Sequence, residues 1–419
     1  MMKRIIPIIL AFITAFCVSC AGGKTPESTV ESNSESISES VEMNELKSLE
    51  EVLNTMLESD AKCDVYDADK YLAPIWENQI IYNETVMFRA DENGEVKEKK
   101  LAYPIAKILE VRSADLKTVY TEGVDYEVTA DGSLKALENT SMPITTFNSY
   151  YHDTDVHNVD IRSNIYTDKY LDYGEGVHFY YKQVCVTYIR TVEYDGPTYE
   201  NERILTKTTE KLINKEDLKV VFYGDSITTG CNASSQSNSE PNMPYFDRMV
   251  VDSLSAYYKT DKISFVNTAV GGWTTEQGLG DFSKRVLANN PDLLVLGFGM
   301  NDATIGSTAE QYGNRIVMMI NNLRKKNPNA EVLLLTTMNA NPEATGFYGN
   351  YQKNQVELSN TLKDIASGYE GVAVADVNSM HNWLLERKDY CDMTGNNVNH
   401  PSDFLVRLYA QIILAQLVG

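Results

Sequence analysis

The chain has 419 residues, 43% of them hydrophobic and 23% charged, and carries a formal net charge of −22. That length accommodates two ordinary domains, each with a core of its own. The negative charge argues against a nucleic-acid partner, because nothing in such a chain would neutralise phosphates.

The N-terminus comes first. Lys3 and Arg4 precede an apolar run from Ile5 to Val18, which ends in CVSC and then AGGK. A basic start, a short apolar stretch and small residues after it read as a secretory signal over residues 1–20. The run falls short of the roughly 20 apolar residues that a membrane span requires. Its end resembles a bacterial lipobox, with Cys17 where leucine is usual, so Cys20 is the expected site of lipidation. The protein is therefore expected outside the cytoplasmic membrane, tethered by that lipid. Residues 21–45 include TPESTVESNSESISESVE, a Ser/Glu-rich tract without aromatics. Such a tract buries too little apolar surface to offset its chain entropy and reads as a disordered linker. Cys63, Cys185, Cys231 and Cys391 lie far apart in the chain. Export permits disulfides among them, but their spacing assigns none.

Residues 46–212 form the first body. Apolar positions from Glu45 to Leu57 follow a helical period. Then QIIYNETVMFRA, AKILEVRS, VDYEVTADGSLKAL and HFYYKQVCVTYIRT are short, β-branched and aromatic, with turn residues between them. Asp131-Gly132 marks a hairpin. The pattern predicts an antiparallel β-sandwich, jelly-roll-like in type. Within it, HDTDVH (residues 152–157) carries residue types that could suggest a metal site but reads by default as a polar surface loop, and no metal or cofactor is expected. Tyr150 and Tyr151 suit a strand face or the core better than a sugar-stacking surface.

Residues 213–419 change period. KVVFYG, ISFVNTAV, DLLVLGFG, AEVLLLTT and VAVADV suit strands buried on both faces. Helical patterns alternate with them at Phe246–Tyr257, Gln311–Lys325 and Tyr351–Ser367, the second with a capping box at Ser307 and Glu310. A last helix follows Pro401, with Asp403 as its cap. Five strands alternating with helices give an α/β, flavodoxin-like, doubly wound parallel sheet, whose ligands bind beyond the carboxyl ends of the strands.

The reactive residue types fall where that rule asks for them. Ser226 follows the first strand, Gly271 and Gly272 the second, Asn301 and Asp302 the third, and His400 comes after the fifth. A serine hydroxyl needs an adjacent base, and His400 is placed to serve. The oxyanion formed by attack on an ester needs fixed donors: the backbone N–H groups of Ser226 and Gly272 and the amide of Asn301. Each residue alone has an ordinary reading as a cap or a turn. Their common register with the strands is the signal.

Four blocks, GDSIT with Ser226, NTAVGG with Gly272, GMND with Asn301 and NVNHPSDF with His400, make residues 219–419 resemble the SGNH hydrolases of the GDSL esterase group. The resemblance implies ester or thioester hydrolysis without metal or cofactor, and Asp225 as an organiser of the turn. A sandwich ahead of such a body resembles the arrangement of certain microbial carbohydrate acetyl esterases, which implies removal of O-acetyl groups from an acetylated carbohydrate, with Trp273 either lining the sugar site or simply packing. One departure stands out. The family's aspartate three residues before the histidine is Asn397 here, after Asn396. Asp392, on the same loop, and Asn397 are the candidates to orient His400, alongside a backbone carbonyl. Two other readings stay open: a lipase-like or short-chain ester hydrolase, and a non-catalytic cell-surface glycan-binding lipoprotein.

Overall fold

The computed structural model describes residues 46–346 and 352–418. The signal, Cys20 and the linker lie outside the described residues.

The C-terminal body is built on five parallel strands: Leu218–Gly224, Ile263–Asn267, Leu293–Gly297, Glu331–Leu335 and Val372–Ala375. The second strand lies outside the first, and the third, fourth and fifth follow on its other side. The order therefore reverses between the first strand's two neighbours, and a crevice opens there at the carboxyl ends. Helices cover both faces. Phe246–Tyr258 packs with the last helix, Asp403–Ala415, and Ala309–Lys326 packs with Gln352–Ser367.

Two expected caps differ. Thr308 and Gln311, rather than Ser307 and Glu310, close the capping box of the long helix. Ser307 is still held by the preceding turn, its N–H donating to the carbonyl of Asp302 at 2.9 Å. Asp403 does not cap the last helix either: Ser402 is the N-cap, and the Asp403 carboxylate accepts the N–H of Ser234 at 2.9 Å.

The N-terminal body is antiparallel and β-rich. One sheet joins Ile80–Val86, Val184–Ile189, Lys107–Ser113 and Val119–Tyr120. The hairpin at Asp131-Gly132 is present, with Tyr126–Val128 paired to Leu134–Ala136 and Gly132 at φ 80°. The helix at the start is shorter than the periodicity suggests, Leu49–Thr55, because Ser48 and Glu51 cap it.

The two bodies interlock. Ala344–Gly346, from the loop after the fourth parallel strand, adds to Ile161–Ser163 in the second antiparallel sheet. One apolar cluster runs from Ile81, Val186 and Tyr188 through Leu218 and Phe222 to Phe404, Leu408 and Ile412. Tyr150 and Tyr151 are buried, and their hydroxyls donate to Asn397 and Glu343 of the C-terminal body. Their role is to join the bodies, as the core reading expects. Cys63, Cys185, Cys231 and Cys391 are all free thiols. Among the described residues no helix is long and apolar enough to cross a membrane.

Candidate active site

The first parallel strand ends at Gly224, which pairs with Gly297 of the third. A Cβ on Gly224 would stand 2.1 Å from the Gly297 carbonyl oxygen and 2.2 Å from Thr228 Oγ1, so only glycine fits. That closeness lets Thr228 Oγ1 donate to the Gly297 carbonyl at 3.1 Å and pins the next turn. Asp225 is the N-cap, its carboxylate accepting the Ile227 N–H at 3.0 Å. Burial, with Asp302 nearby adding repulsion, pushes its carboxyl up to about 7. Ser226 thus opens a four-residue helix, Ser226–Thr229, that stops at Gly230 with φ 94°. As the first helical residue, it has an N–H for which the helix offers no acceptor.

His400 arrives from the loop before the last helix. Its Nε2 lies 2.9 Å from Ser226 Oγ. On the other side, Nδ1 lies 2.7 Å from Asn232 Oδ1 and 3.2 Å from Glu175 Oε2. Two acceptors at Nδ1 place the ring proton there, which leaves Nε2 free to accept from the serine hydroxyl. Asn232 is oriented by its own contacts, since its Nδ2 donates to the carbonyls of Gly176 and Gly395 at 3.2 Å each. The nearby Asn396 Nδ2 also stands 3.0 Å from Nδ1, but its two hydrogens have acceptors in Glu175 Oε1 at 3.1 Å and Asn399 Oδ1 at 3.0 Å, so the ring proton stays with Asn232 and Glu175. Asn396 thereby ties Glu175 to the histidine loop.

Neither expected orienter touches the ring. Asp392 is fully buried behind the loop, accepting the N–H of Met87 at 2.7 Å and facing Lys99 at 3.0 Å. Its carboxylate is spent on joining the loop to the antiparallel body. Asn397 adopts φ 69°, accepts from Tyr150, and donates Nδ2 to the carbonyl of Asp172 at 2.9 Å. It shapes the loop and points away from the imidazole. The carboxylate at the ring is Glu175, which the sequence reading passed over. It belongs to the antiparallel body, 225 residues from His400. Burial raises its pKa, but the His400 hydrogen bond and charge, with bonds from Tyr173 and Asn396, outweigh that and hold it at about 2. The side chain is 49% exposed, so solvent screens much of this attraction.

Gly271 and Gly272 border the serine. A Cβ on Gly271 would lie 3.8 Å from Ser226 Cβ, and Gly272 takes φ 78°. Asn301 Nδ2 donates to the carbonyl of Trp273 at 3.0 Å, which anchors the amide beside the glycine turn and leaves its second N–H. Asp302 fastens the same turn from below, accepting the N–H of Thr275 at 3.0 Å. The structure thus gathers Ser226, Gly272, Asn301 and His400 on one rim. Trp273 packs against the apolar cluster, with the Arg285 guanidinium 4.7 Å from its ring, which fits the packing role.

Residues 222–404 match the GDSL-like lipase/acylhydrolase family. Among solved structures, the chain is similar to Axe2, an acetylxylan esterase from Geobacillus stearothermophilus, at TM-score 0.41 and 18% identity over 48% of this chain and 94% of that one. It is also similar to a lipase/acylhydrolase from Enterococcus faecalis, at TM-score 0.37 and 24% identity over 47% and 93%. A third likeness is to LAE5, an alpha/beta hydrolase enzyme from the metagenome of Lake Arreo, Spain, at TM-score 0.40 and 17% identity over 48% and 94%. No curated relative matches the chain.

Proposed function

We propose that this chain, an ester hydrolase whose residues 222–404 make a GDSL-like lipase/acylhydrolase domain, removes O-acetyl groups from carbohydrate by a Ser-His acyl-enzyme route. The observation that carries the reading is the 2.9 Å contact between Ser226 Oγ and His400 Nε2 beside the Gly272 and Asn301 donors. Ser226 Oγ attacks the ester carbon as His400 Nε2 takes the hydroxyl proton. The oxyanion is met by the N–H groups of Ser226 and Gly272 and the Asn301 amide. His400 then gives its proton to the departing sugar oxygen, which leaves acetyl on the serine. Water, deprotonated by the same nitrogen, displaces the acyl group as acetate. Asn232 and Glu175 hold the ring through both halves.

Access favours a small acyl group on a polar partner. Ser226 and His400 are only 6% and 7% exposed, while the exposed groups beside them are Gly271, Gly272 and the Glu175 carboxylate. A long acyl chain would need an apolar channel, whereas a sugar meets a polar rim. The test is acetate release from acetylated plant, host and bacterial cell-wall glycans. Wild type should release acetate and prefer acetyl to octanoyl model esters, and Ser226→Ala should release essentially none. Equal turnover of the two acyl lengths would defeat the acetyl reading.

The proposal extends to the enzyme's place. The Lys3-Arg4 start, the apolar run and Cys20 support lipid attachment outside the cytoplasmic membrane, with residues 21–45 as the spacer. Labelled palmitate should enter the wild-type chain in bacteria and be absent from Cys20→Ala. Equal labelling of both would remove the anchor.

A further inference from the structure

Three of the chain's five histidines converge on one carboxylate, away from the serine. His152, His157 and His178 come from the strand Tyr151–His152, the loop after it and the segment after Glu175. Their Nε2 atoms stand 3.2, 3.1 and 3.0 Å from the same oxygen, Asp172 Oδ1. His178 Nε2 is also 3.0 Å from Oδ2. Asp172 is 2% exposed, and the ring nitrogens of His152 and His157 and the Asp172 carboxylate lie within 4.8 Å of one another.

Hydrogen bonding alone explains this poorly. A carboxylate oxygen has two lone pairs, yet three ring nitrogens crowd Oδ1. The ring-to-carboxylate separations match a different object. Four ligands at about 2.0–2.1 Å around tetrahedral zinc stand roughly 3.3 Å apart. We propose that His152, His157 and Asp172, whose ligand atoms share one spacing, form a structural zinc-class site, and that the more exposed His178, 3.0 Å from the same carboxylate but outside that common spacing, turns in as the fourth ligand. Three imidazoles with one carboxylate suit zinc and exclude the hard cations magnesium and calcium, which select all-oxygen shells. Lys182 shares the cluster, its ammonium on Asp172 Oδ2 and 3.1 Å from His178 Nε2. On metal entry that ammonium moves out to solvent and any proton on the three rings is released, since only neutral imidazole coordinates.

The site has a function because of where it sits. Asp172 and His178 bracket Glu175, three residues away on either side. The Asp172 carbonyl also receives the Asn397 amide from the His400 loop. A metal here clamps the segment that brings a carboxylate to the catalytic ring.

The test uses the full chain, stripped with a chelator, equilibrated with zinc chloride, washed and assayed for metal by mass spectrometry. One zinc per chain is expected, with a higher Tm than the stripped protein. Cobalt(II) in its place should show the visible absorption of a tetrahedral site. His152→Ala/His157→Ala should lose the metal, and Lys182→Gln, which removes a competing cation, should keep it. Absence of stoichiometric zinc in wild type overturns the proposal, as does equal zinc in the double variant or loss of zinc in Lys182→Gln. Metal content is read without any ester, so failure of the acetyl-esterase reading would leave this result standing.

Discussion

At the scale of single residues, the unusual feature is that His400, the proposed base, has two acceptors at Nδ1. Asn232, at 2.7 Å, sets the tautomer; Glu175, at 3.2 Å, adds charge. In the chymotrypsin-like triad, exchanging carboxylate for amide costs about 10⁴ in kcat because the tautomer is lost. Here Asn232 keeps the tautomer, so Glu175→Gln should lower kcat by only about 10–10²-fold, a barrier change of about 1.4–2.8 kcal/mol. KM should change little. Asn397→Asp should bring no gain, since that side chain faces the Asp172 carbonyl. The pH dependence has a definite sign. Glu175 is held at about 2 against an unfolded value near 4.3. Its stabilising contribution is complete above about pH 4.3 and is lost as pH falls through 2. Between pH 5 and 8 its charge is constant, so the Gln variant's deficit in kcat should be present across that range. An unchanged kcat in Glu175→Gln, beside a large loss in Asn232→Ala, would make the amide the sole orienter.

At the scale of elements, the chemistry-bearing loops were legible because each follows a strand. The five apolar runs became the five parallel strands, and their carboxyl ends carry Ser226, Gly272 and Asn301. His400 was legible for a second reason, its place just before a strongly apolar terminal helix. Glu175 was not legible. It sits in DYGEGVH, which reads locally as a turn, and only the packing of one body on the other brings it to the ring. Asp392 misled for the opposite reason. Nearness in sequence suggested the imidazole, but a buried carboxylate goes where cations are, and Lys99 enters from the other body. The capping box was misplaced by one residue because Ser307/Glu310 and Thr308/Gln311 both fit the same spacing. The tie between Ser307 and Asp302 decided between them. The histidines around Asp172 were half visible: HDTDVH was in view, but His178 and Asp172 lie on later segments.

At the scale of the whole molecule, the antiparallel body is part of the candidate site's frame. It supplies Glu175, it covers the loop that carries His400, and it shares the apolar cluster beneath both. The joint is sharpest at Lys388. Its ammonium lies 2.6 Å from Glu84 Oε1 and 2.8 Å from the Thr85 carbonyl, and both charged side chains are fully buried. Glu84 is further held by the Ala102 N–H at 2.7 Å and the Tyr188 hydroxyl at 2.8 Å. Breaking a buried pair on one side leaves a bare charge and costs about 3–5 kcal/mol, whereas replacing both partners with apolar groups is often neutral. Glu84→Gln should therefore lower the urea midpoint strongly, and Glu84→Met/Lys388→Met should recover most of the loss. If the bodies form one cooperative unit, esterase activity and tryptophan fluorescence will be lost together in each variant, in one transition. Fluorescence that unfolds in two steps, with activity following only the later one, would show that the antiparallel body leaves first and that the site does not depend on it.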